Sequence, residues 1–220
     1  VEVRGRIDRL DVAQDGGGER FILVIDYKRT PKDLAVEEVG HGLALQMALY
    51  LVVATRQGAG LIGLQAEASG DLRPAGMLYF PVQPAWTLFE DPPEPAAADQ
   101  GALKSHKTKG LLNLDAAQNL MFDAAPGYSI IVPQRIGKDG KIAAKQSRVA
   151  PEEQMQALMD SAMAAAAGLG EAILDGSIAL APYRLKDKTP CGTCDFRPVC
   201  RFDRNGGDRF RDLLPLSRDE

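Results

Sequence analysis

Residues 24–28, "VIDYK", place an acid and a base one residue apart at the end of an apolar run. Residues two apart on a β-strand project from the same face of the sheet, so Asp26 and Lys28 are predicted to point the same way. Asp8 lies in the earlier segment "GRIDR", and hairpin pairing of two strands would bring its carboxylate beside that of Asp26. Two carboxylates that close repel each other unless a cation lies between them.

Such a pair of carboxylates indicates a Mg²⁺ site, because Mg²⁺ takes few protein oxygen ligands and keeps water in its other positions. A metal ion there would polarise a phosphoryl oxygen and lower the pKa of a bound water. Lys28 would position that water or stabilise the developing negative charge. The predicted chemistry is therefore phosphodiester hydrolysis. The alternative is a surface ion pair between Asp26 and Lys28, and the D-x-K spacing alone leaves both open.

Two polar side chains interrupt the apolar segment that follows. Gln46 and Tyr50 are four residues apart, so they stand on one face of the predicted helix. A helix with only a packing role would need neither polar group. The alternative is a buried pair in which Gln46 and Tyr50 satisfy each other's hydrogen bonds. Together with Asp8, Asp26 and Lys28, the pair favours a functional site.

The pattern of apolar residues predicts the strands that carry the acids. Alternation in residues 1–8 and a continuous apolar run in residues 20–27 predict two strands joined by the turn "DGGGE". The continuous run indicates that the second strand is central in its sheet. Further strands are predicted at residues 76–82 and 128–132, the latter followed by a hairpin through "GKDGK" to about residue 148.

Helices are predicted on either side of these strands. Residues 42–56 have helical length and composition, and a long helix is predicted over residues 151–176, with Pro151 favoured at a helix start. The Pro- and Ala-rich residues 90–101 are predicted to form a mobile loop. The predicted fold class is α/β.

The composition narrows the class of protein. The chain has 220 residues, 45% of them hydrophobic, which suits one domain with an appendage or two small domains. No uninterrupted apolar run approaches the roughly 18 residues of a membrane span, and the start does not resemble a signal peptide, so a cytoplasmic location without membrane contact is expected. The first residue, Val1, lies inside a predicted strand, which predicts that the sequence is a piece of a longer polypeptide.

The charge indicates that any contact with nucleic acid is local. The net charge is −4, so the chain lacks the overall basic character of an autonomous nucleic-acid binder. A short basic cluster, Lys104, Lys107 and Lys109, could contact DNA phosphates. The alternative is a solvated loop, which is the commoner role of a short charge run.

The segments "GRIDRLD", "VIDYK" and "GLALQMALYL" resemble successive motifs of the RecB-like branch of the PD-(D/E)XK nucleases. In this resemblance Asp8 is the first motif acid, Asp26 and Lys28 are the D-x-K pair, and Gln46 with Tyr50 is the Q-x-x-x-Y of the branch. Later segments are similar to the AddB-type (RexB-type) nuclease domains of this branch: "PAGMLYFPV", "KGLLNLD", "RVAPEEQ" and "AILDGSIALAPYRLKDKTPC". The resemblance covers almost the whole sequence.

The resemblance implies a restriction-endonuclease-like core, a mixed central sheet flanked by helices, in which Asp8 and Asp26 hold Mg²⁺ or Mn²⁺. The main-chain carbonyl of Tyr27 is implied as a further metal ligand. Gln46 and Tyr50 would line the groove beside the cleaved strand.

RecB-like domains often have an additional metal-ligating His upstream, and this sequence begins too late to show it. Neither His41 nor His106 lies at the corresponding place, so both are predicted to be surface histidines.

Three cysteines, Cys191, Cys194 and Cys200, form a C-x2-C-x5-C cluster whose spacing suits metal ligation by zinc or an iron–sulfur cluster. Either site normally has four protein ligands, and the sequence offers three cysteines. The resemblance implies that the fourth cysteine lies upstream of Val1 and that the four bind a structural [4Fe–4S] cluster, which would be incomplete in this chain. Zinc with a fourth ligand such as Asp is an alternative, and three ordinary cysteines are another.

The resemblance implies a nuclease core at residues 1–182 and a cysteine-bearing tail at residues 183–220. The expected activity is that of a metal-dependent exonuclease acting on unwound single-stranded DNA, on the 5'-ended strand, in a heterodimer with a helicase–nuclease A subunit. Such a complex processes double-strand breaks for recombination.

Two other hypotheses are compatible with these residues. One is a metal-stapled module that binds a DNA end or a helicase without catalysis, and the intact set Asp8, Asp26 and Lys28 argues against it. The other is an exonuclease of CRISPR adaptation from the same branch, which the AddB-like middle and tail segments disfavour.

Overall fold

A computed structural model describes residues 2–61, 72–83, 95–120 and 122–214. Its central sheet has five strands: β1 (Arg9–Gln14), β2 (Arg20–Lys28), β3 (Leu72–Pro81), β4 (Lys109–Asn113) and β7 (Val149–Ala150). They lie side by side in the order β1-β2-β3-β4-β7. The β1–β2 and β3–β4 pairs are antiparallel, and the β2–β3 and β4–β7 pairs are parallel, so the sheet is mixed.

Helices flank the sheet, and two short strand pairs lie outside it. The helices are α1 (Val36–Gly40), α2 (Gln46–Leu61), α3 (Pro95–Ser105), α4 (Leu114–Leu120), α5 (Glu152–Leu174) and α6 (Arg197–Cys200). The outlying strand pairs are β5 (Gly127–Tyr128) with β6 (Arg135–Ile136), and β8 (Tyr183–Leu185) with β9 (Arg211–Leu213).

The continuous apolar run of β2 is explained by its central position, since both of its faces are buried. Ile22 and Val24 pack with α2, α5 and parts of β3 and β4 in one cluster of the core. Phe21, Leu23 and Ile25 pack with α4 and the other face of β3 in a second cluster. Each cluster therefore uses alternate residues of the same strand, as the period of two requires. This confirms the predicted central strand and the α/β class.

The structure moves three of the predicted strand and loop boundaries. Residues 2–7 form no strand, because pairing between β1 and β2 begins at Arg9 opposite Ile25. Of the predicted strand at residues 128–132, only Tyr128 lies in a strand, at the end of β5, and the hairpin beyond it retains a bridge between Ile136 and Ile142. Residues 95–101, predicted as loop, lie in α3. The rest of that predicted loop, and Val1, lie outside the described residues.

The two long helices agree better with the sequence, whereas several of the shorter elements were not predicted. α5 runs from Glu152 to Leu174, with Pro151 at its N-cap, close to the predicted residues 151–176. α2 begins at Gln46 rather than residue 42, and β3 begins four residues before the predicted strand. α1 and β4 had no counterpart among the predictions.

The long helix α5 is apolar enough, by length and composition alone, to cross a membrane. A single helix of this kind is weak evidence for a membrane span, since core helices pass the same test. In this structure Met155, Leu158, Met159 and Ala162 of α5 are buried in the core against α2 and the sheet. The first half of the helix therefore has a packing role.

The cysteine-bearing tail contacts the core through polar groups near α1. Lys186 and Lys188 form ion pairs with Glu37 and Glu38, at 3.1 and 3.4 Å. The ring Nε2 of His41 lies 2.8 Å from the carbonyl oxygen of Leu214. The tail therefore lies against the part of the chain that connects β2 to α2. The domain boundary predicted near residue 182 stays a prediction.

Candidate active site

Asp26 lies on the last part of β2 and is 3% exposed. The Lys28 ammonium group forms an ion pair with Asp26 Oδ2, on the same face of the sheet, as the D-x-K spacing predicted. The Lys28 side chain is 26% exposed, so it reaches solvent while its neighbour does not. Oδ2 accepts no hydrogen bond of good geometry from the described residues, and the ammonium ion is therefore its main compensation. A buried carboxylate held in this way can exchange one cation for another.

The other oxygen of Asp26 is held from the helix. Gln46, the first residue of α2, donates a hydrogen bond from Nε2 to Asp26 Oδ1 at 3.2 Å. The same amide donates to the hydroxyl oxygen of Tyr50 at 3.3 Å. Gln46 is therefore hydrogen-bonded both to Tyr50 and to Asp26. The two polar side chains satisfy each other, as the structural interpretation predicts, and Gln46 also contacts the acid of the candidate site.

Asp8 is brought to the site by the hairpin register. Arg9 pairs with Ile25, so Asp8 lies at the bend just before β1, next to the position of Asp26. The Tyr27 amide donates a hydrogen bond to Asp8 Oδ2 at 3.0 Å, which fixes the carboxylate beside β2. The structure thus brings together the five residues that the sequence singled out, namely Asp8, Asp26, Lys28, Gln46 and Tyr50.

The segment before β1 is held against α2 by Tyr50. The Arg6 amide donates a hydrogen bond to the Tyr50 hydroxyl oxygen at 3.2 Å. Gly5 comes so close that a Cβ placed on it would lie 2.7 Å from Cε1 of Tyr50. The glycine of "GRID" therefore allows the chain to pass the ring and deliver Asp8 to the site.

Tyr79 is a site neighbour that the sequence reasoning missed. It lies on β3 directly opposite Asp26 and is 2% exposed. Burial, followed by the charges of Asp26 and Glu38, raises the pKa of Tyr79 to about 12, so its phenol stays protonated near neutral pH. The ammonium groups of Lys28 and Lys32 lie 5.3 and 4.9 Å from the centre of its ring.

Tyr79 has a weak signal in the sequence. The segments containing Asp26 and Tyr79 each end an apolar run, and parallel strands finish at the same edge of a sheet. Pairing those two ends would have placed Tyr79 beside Asp26. Lys32, four residues after Lys28, has no such pattern around it.

The donor set fits a hard cation such as Mg²⁺. Asp8 and Asp26 supply carboxylate oxygens, the Tyr27 carbonyl is the further ligand that the resemblance implies, and water fills the other positions of such an ion. Among the described residues, no group of three or more His, Cys, Asp or Glu side chains forms a metal-binding cluster. A metal ion here would thus rely on two acidic side chains.

Among the described residues, the cysteines of the tail form no group of three or more with one another or with other metal-binding side chains. Cys191 and Cys200 are half-buried, Cys194 is exposed, and none of the three forms a disulfide. A four-ligand site needs a donor that the described part of the chain does not place beside them.

The two histidines make structural contacts away from the carboxylates. His41 contacts the carbonyl of Leu214, as described above. His106 Nδ1 lies 2.8 Å from the carbonyl oxygen of Pro81, and its ring stacks on that of Phe80 with 5.8 Å between the ring centres. Both rings are half-buried.

The three lysines of the basic cluster line one groove. Lys104, Lys107 and Lys109 border a cavity of about 780 Å³ that lies beside the start of β4. Lys109 also forms an ion pair with Asp33 at 3.1 Å. The structure thus places the basic cluster on a concave surface.

A mixed sheet whose central strand carries a buried Asp and a Lys, with a second Asp at its edge, is the arrangement of a PD-(D/E)XK nuclease. The profile of the PD-(D/E)XK nuclease superfamily matches residues 1–201, nearly the whole chain. The chain therefore belongs to the PD-(D/E)XK nuclease superfamily, which confirms the family and the fold that its motifs indicated.

Curated relatives make the comparison more specific. A protein of Moorella thermoacetica, named as the B subunit of an ATP-dependent helicase/deoxyribonuclease, is 40% identical over 221 residues, covering 100% of this chain and 18% of that protein. Proteins of the same name from Lysinibacillus sphaericus and Desulforudis audaxviator are 34% and 36% identical, covering 99% and 100% of this chain and 18% of each protein. The chain thus spans 18% of the length of these relatives.

Proposed function

We propose that this chain is the nuclease domain of a helicase–nuclease B subunit and hydrolyses phosphodiester bonds of unwound single-stranded DNA as a Mg²⁺-dependent exonuclease. The observation that carries the proposal is the buried carboxylate of Asp26, held by Gln46 on one oxygen and by Lys28 on the other. A carboxylate so buried costs free energy unless its charge is used or compensated. Its position beside Asp8 gives that charge a use in binding a metal ion.

In this proposal the side chains have separate roles. Asp8 and Asp26 would hold the metal ion, with the Tyr27 carbonyl as a further ligand. When bound, the ion would supply a water of lowered pKa and polarisation of the phosphoryl oxygen. Lys28 orients or activates the attacking water and stabilises the charge that develops on the phosphate. Gln46 and Tyr50 keep Asp26 in place and position the strand.

The remaining parts of the proposal concern partners and setting. The relatives are named as B subunits of a helicase/deoxyribonuclease, which supports a heterodimer with an A subunit. We propose that the complex acts in the cytoplasm on the 5'-ended strand during double-strand break repair and recombination. We also propose that Cys191, Cys194 and Cys200 bind a [4Fe–4S] cluster in a longer protein that supplies a fourth cysteine.

The test measures degradation of single-stranded DNA carrying a label at either end, with Mg²⁺ or Mn²⁺ present. The variant Asp26→Asn keeps the shape of the side chain and removes its charge, and we expect the rate to fall by at least about a hundredfold. Asp160→Asn makes the same change at an exposed position of α5 and should degrade DNA at the normal rate. Equal rates for all three proteins would contradict the catalytic assignment. The end from which label is first released reports the polarity.

The competing proposal is a binding module without catalysis. It predicts no metal-dependent degradation by the unmodified protein, and DNA or helicase binding that Asp26→Asn leaves unchanged. The ion pair of Asp26 with Lys28 and the nearby Asp8 favour the nuclease, because a binding surface gains nothing from a buried acid.

A further inference from the structure

One concave surface near the active site combines positive charge with an exposed aromatic ring. We call it the basic groove, and define it by six of its lining residues: Lys104, Lys107, Lys109, Arg148, Asp33 and Tyr128. Its volume of about 780 Å³ is in the range of ligand-binding clefts. Four cations and one carboxylate line it, in a chain whose net charge is −4. The groove is therefore positive against an acidic background.

Two of its cations are available to a ligand. Within the described part of the chain, Lys104 and Lys107 form no ion pair and no side-chain hydrogen bond, whereas Arg148 donates one hydrogen bond to the Leu34 carbonyl oxygen at 2.8 Å. The ion pair between Lys109 and Asp33 is exposed at both partners, and such pairs contribute little to stability. A phosphate could thus replace Asp33 on Lys109 at small cost.

Tyr128 supplies the second feature that a single strand needs. Its side chain is 65% exposed although it lies at the rim of a groove. The guanidinium group of Arg135 lies 5.2 Å from the ring centre and is itself hydrogen-bonded to Gln146. The ring is therefore held in place while much of it faces solvent. Every nucleobase can stack on such a ring, and stacking does not depend on base sequence.

The basic groove adjoins the active site through one short segment. Residues 29–34 follow β2, and within them Lys32 lies over the Tyr79 ring while Pro31 and Asp33 line the groove. Lys109 starts β4 directly opposite Tyr79, which in turn lies opposite Asp26 on β2. Asp26, Tyr79 and Lys109 therefore lie side by side on three neighbouring strands. This row connects the buried carboxylate to one cation of the basic groove.

We propose that the basic groove binds the single-stranded DNA that enters or leaves the active site, with Tyr128 as a stacking platform for a base and Lys104, Lys107, Lys109 and Arg148 as phosphate ligands. This inference rests on the proposed nuclease function for the identity of its ligand. Duplex DNA is a poorer fit, because its bases are already stacked on each other and cannot reach Tyr128.

The first test measures binding of a thymidine oligonucleotide of about 16 nucleotides by fluorescence anisotropy in EDTA, where metal-dependent cleavage is excluded. We expect Tyr128→Leu to weaken binding about tenfold and Tyr128→Phe to bind normally, because the ring and not the hydroxyl group stacks. Phe196→Leu removes an aromatic ring that is also highly exposed, 74% against 65% for Tyr128, but lies outside the groove, and it should bind normally. Normal binding by Tyr128→Leu, or equal losses by Tyr128→Leu and Phe196→Leu, would overturn the stacking role.

The second test removes positive charge from the basic groove and measures how DNA affinity depends on salt. The double variant Lys104→Ala, Lys107→Ala should reduce the slope of log affinity against log salt by about 0.7 for each lysine removed. Lys138→Ala with Lys141→Ala removes the same charge from an exposed turn and should change the slope little. Equal slopes for the two double variants would overturn the assignment of phosphates to the groove.

Asp33 provides a variant expected to gain affinity. Asp33→Asn frees Lys109 and removes the one carboxylate of the groove lining, so binding should tighten severalfold at low salt. Weaker binding by this variant would contradict the proposal. Since these measurements contain no metal ion, their outcome is independent of Asp26 chemistry. If Asp26→Asn leaves degradation unchanged while the groove variants lose affinity, the nuclease proposal fails and the binding groove stands.

Discussion

Charged clusters occupy both ends of the paired strands β2 and β3, and they are built in opposite ways. At the start of β2, Arg73 contacts the carboxylates of Glu19, Asp115 and Glu152 and lies over the Phe21 ring. At the end of β2, one buried carboxylate, Asp26, is held by a single ammonium ion and one amide. The first cluster surrounds a cation with acids, and the second surrounds an acid with donors.

The difference lies in what each cluster leaves unsatisfied. The three acids around Arg73 are partly exposed and come from a turn and two helices, so the arginine joins these three elements through ion pairs. Asp26 is buried, and its Oδ2 has only the Lys28 ammonium ion as compensation from the described residues. The number of charges does not distinguish the two clusters, whereas burial with incomplete hydrogen bonding does, and it marks the second cluster as the candidate functional one.

The largest effect is expected at the second cluster. Lys28→Met should lower the rate of DNA degradation by about a hundredfold to a thousandfold, because the site loses the cation that stabilises developing charge. It also leaves Asp26 without its ion-pair partner, so Mg²⁺ should raise the melting temperature of this variant more than that of the unmodified protein. Steady-state kinetics and thermal melts with and without Mg²⁺ measure both effects.

A neighbouring lysine provides the control for that prediction. Lys32 is exposed and lies over the same Tyr79 ring, yet it has no ion pair with Asp26. Lys32→Met should therefore lose far less activity than Lys28→Met and should show the ordinary response to Mg²⁺. Equal losses in the two variants would mean that the second cluster acts only through its general positive charge.

A substitution in the first cluster should lower the stability of the protein and leave its activity unchanged. Arg73→Met leaves three carboxylates facing one another, and we expect the free energy of unfolding to fall by about 2 kcal/mol. The rate of DNA degradation per folded molecule should stay unchanged. Urea denaturation and kinetics at low temperature measure the two quantities separately.

The pair between Arg184 and Asp212, which joins β8 and β9, is the control, because this arginine also lies over a phenylalanine ring but pairs with one acid. Arg184→Met makes the same chemical change at a more exposed arginine, 35% against 25%, so a smaller loss of stability than in Arg73→Met is expected. A loss of activity in Arg73→Met without a loss of stability would contradict the structural role of the first cluster.

The sequence predicts the second cluster much better than the first. Asp26, Lys28, Gln46 and Tyr50 lie at spacings of two and four residues within their elements, and these spacings alone fix which side chains share a face. Arg73 contacts residues far from it in the chain, from Glu19 to Glu152. No local spacing encodes such contacts, because they exist only after the sheet and helices have packed.

The same distinction explains the elements that were and were not predicted. β2 was identified because a strand buried on both faces has a continuous apolar run. β4 has only five residues, and its strand conformation depends on pairing with β3, which the sequence does not show. Tyr79 was missed for the same reason, since its place opposite Asp26 depends on the register between β2 and β3.

A smaller effect on activity is expected at α2, the helix that carries Gln46 and Tyr50 of the second cluster. Gln46→Leu removes the donor to Asp26 Oδ1. A hydrogen bond to a charged group contributes about 1.5–3 kcal/mol, and the exposed position of Gln46 favours the lower value, so the rate should fall by roughly tenfold. Tyr50→Phe keeps the ring but loses the hydroxyl group that joins Arg6 and Gln46, and its loss should be smaller. A larger loss in Tyr50→Phe than in Gln46→Leu would show that the tyrosine acts on the substrate itself.

The smallest effect concerns Tyr79 at high pH. Burial raises the pKa of Tyr79 from 10.0 in the unfolded chain to about 12, so the folded state keeps a proton that the unfolded state loses between these values. Its contribution to stability is therefore fully present below pH 10 and is lost as pH rises towards 12. The free energy of unfolding should fall by about 1 kcal/mol more in the unmodified protein than in Tyr79→Phe over the first part of this range. Urea denaturation at pH values below and above 10 measures the difference, and parallel curves for the two proteins would contradict a raised pKa of Tyr79 in the folded state.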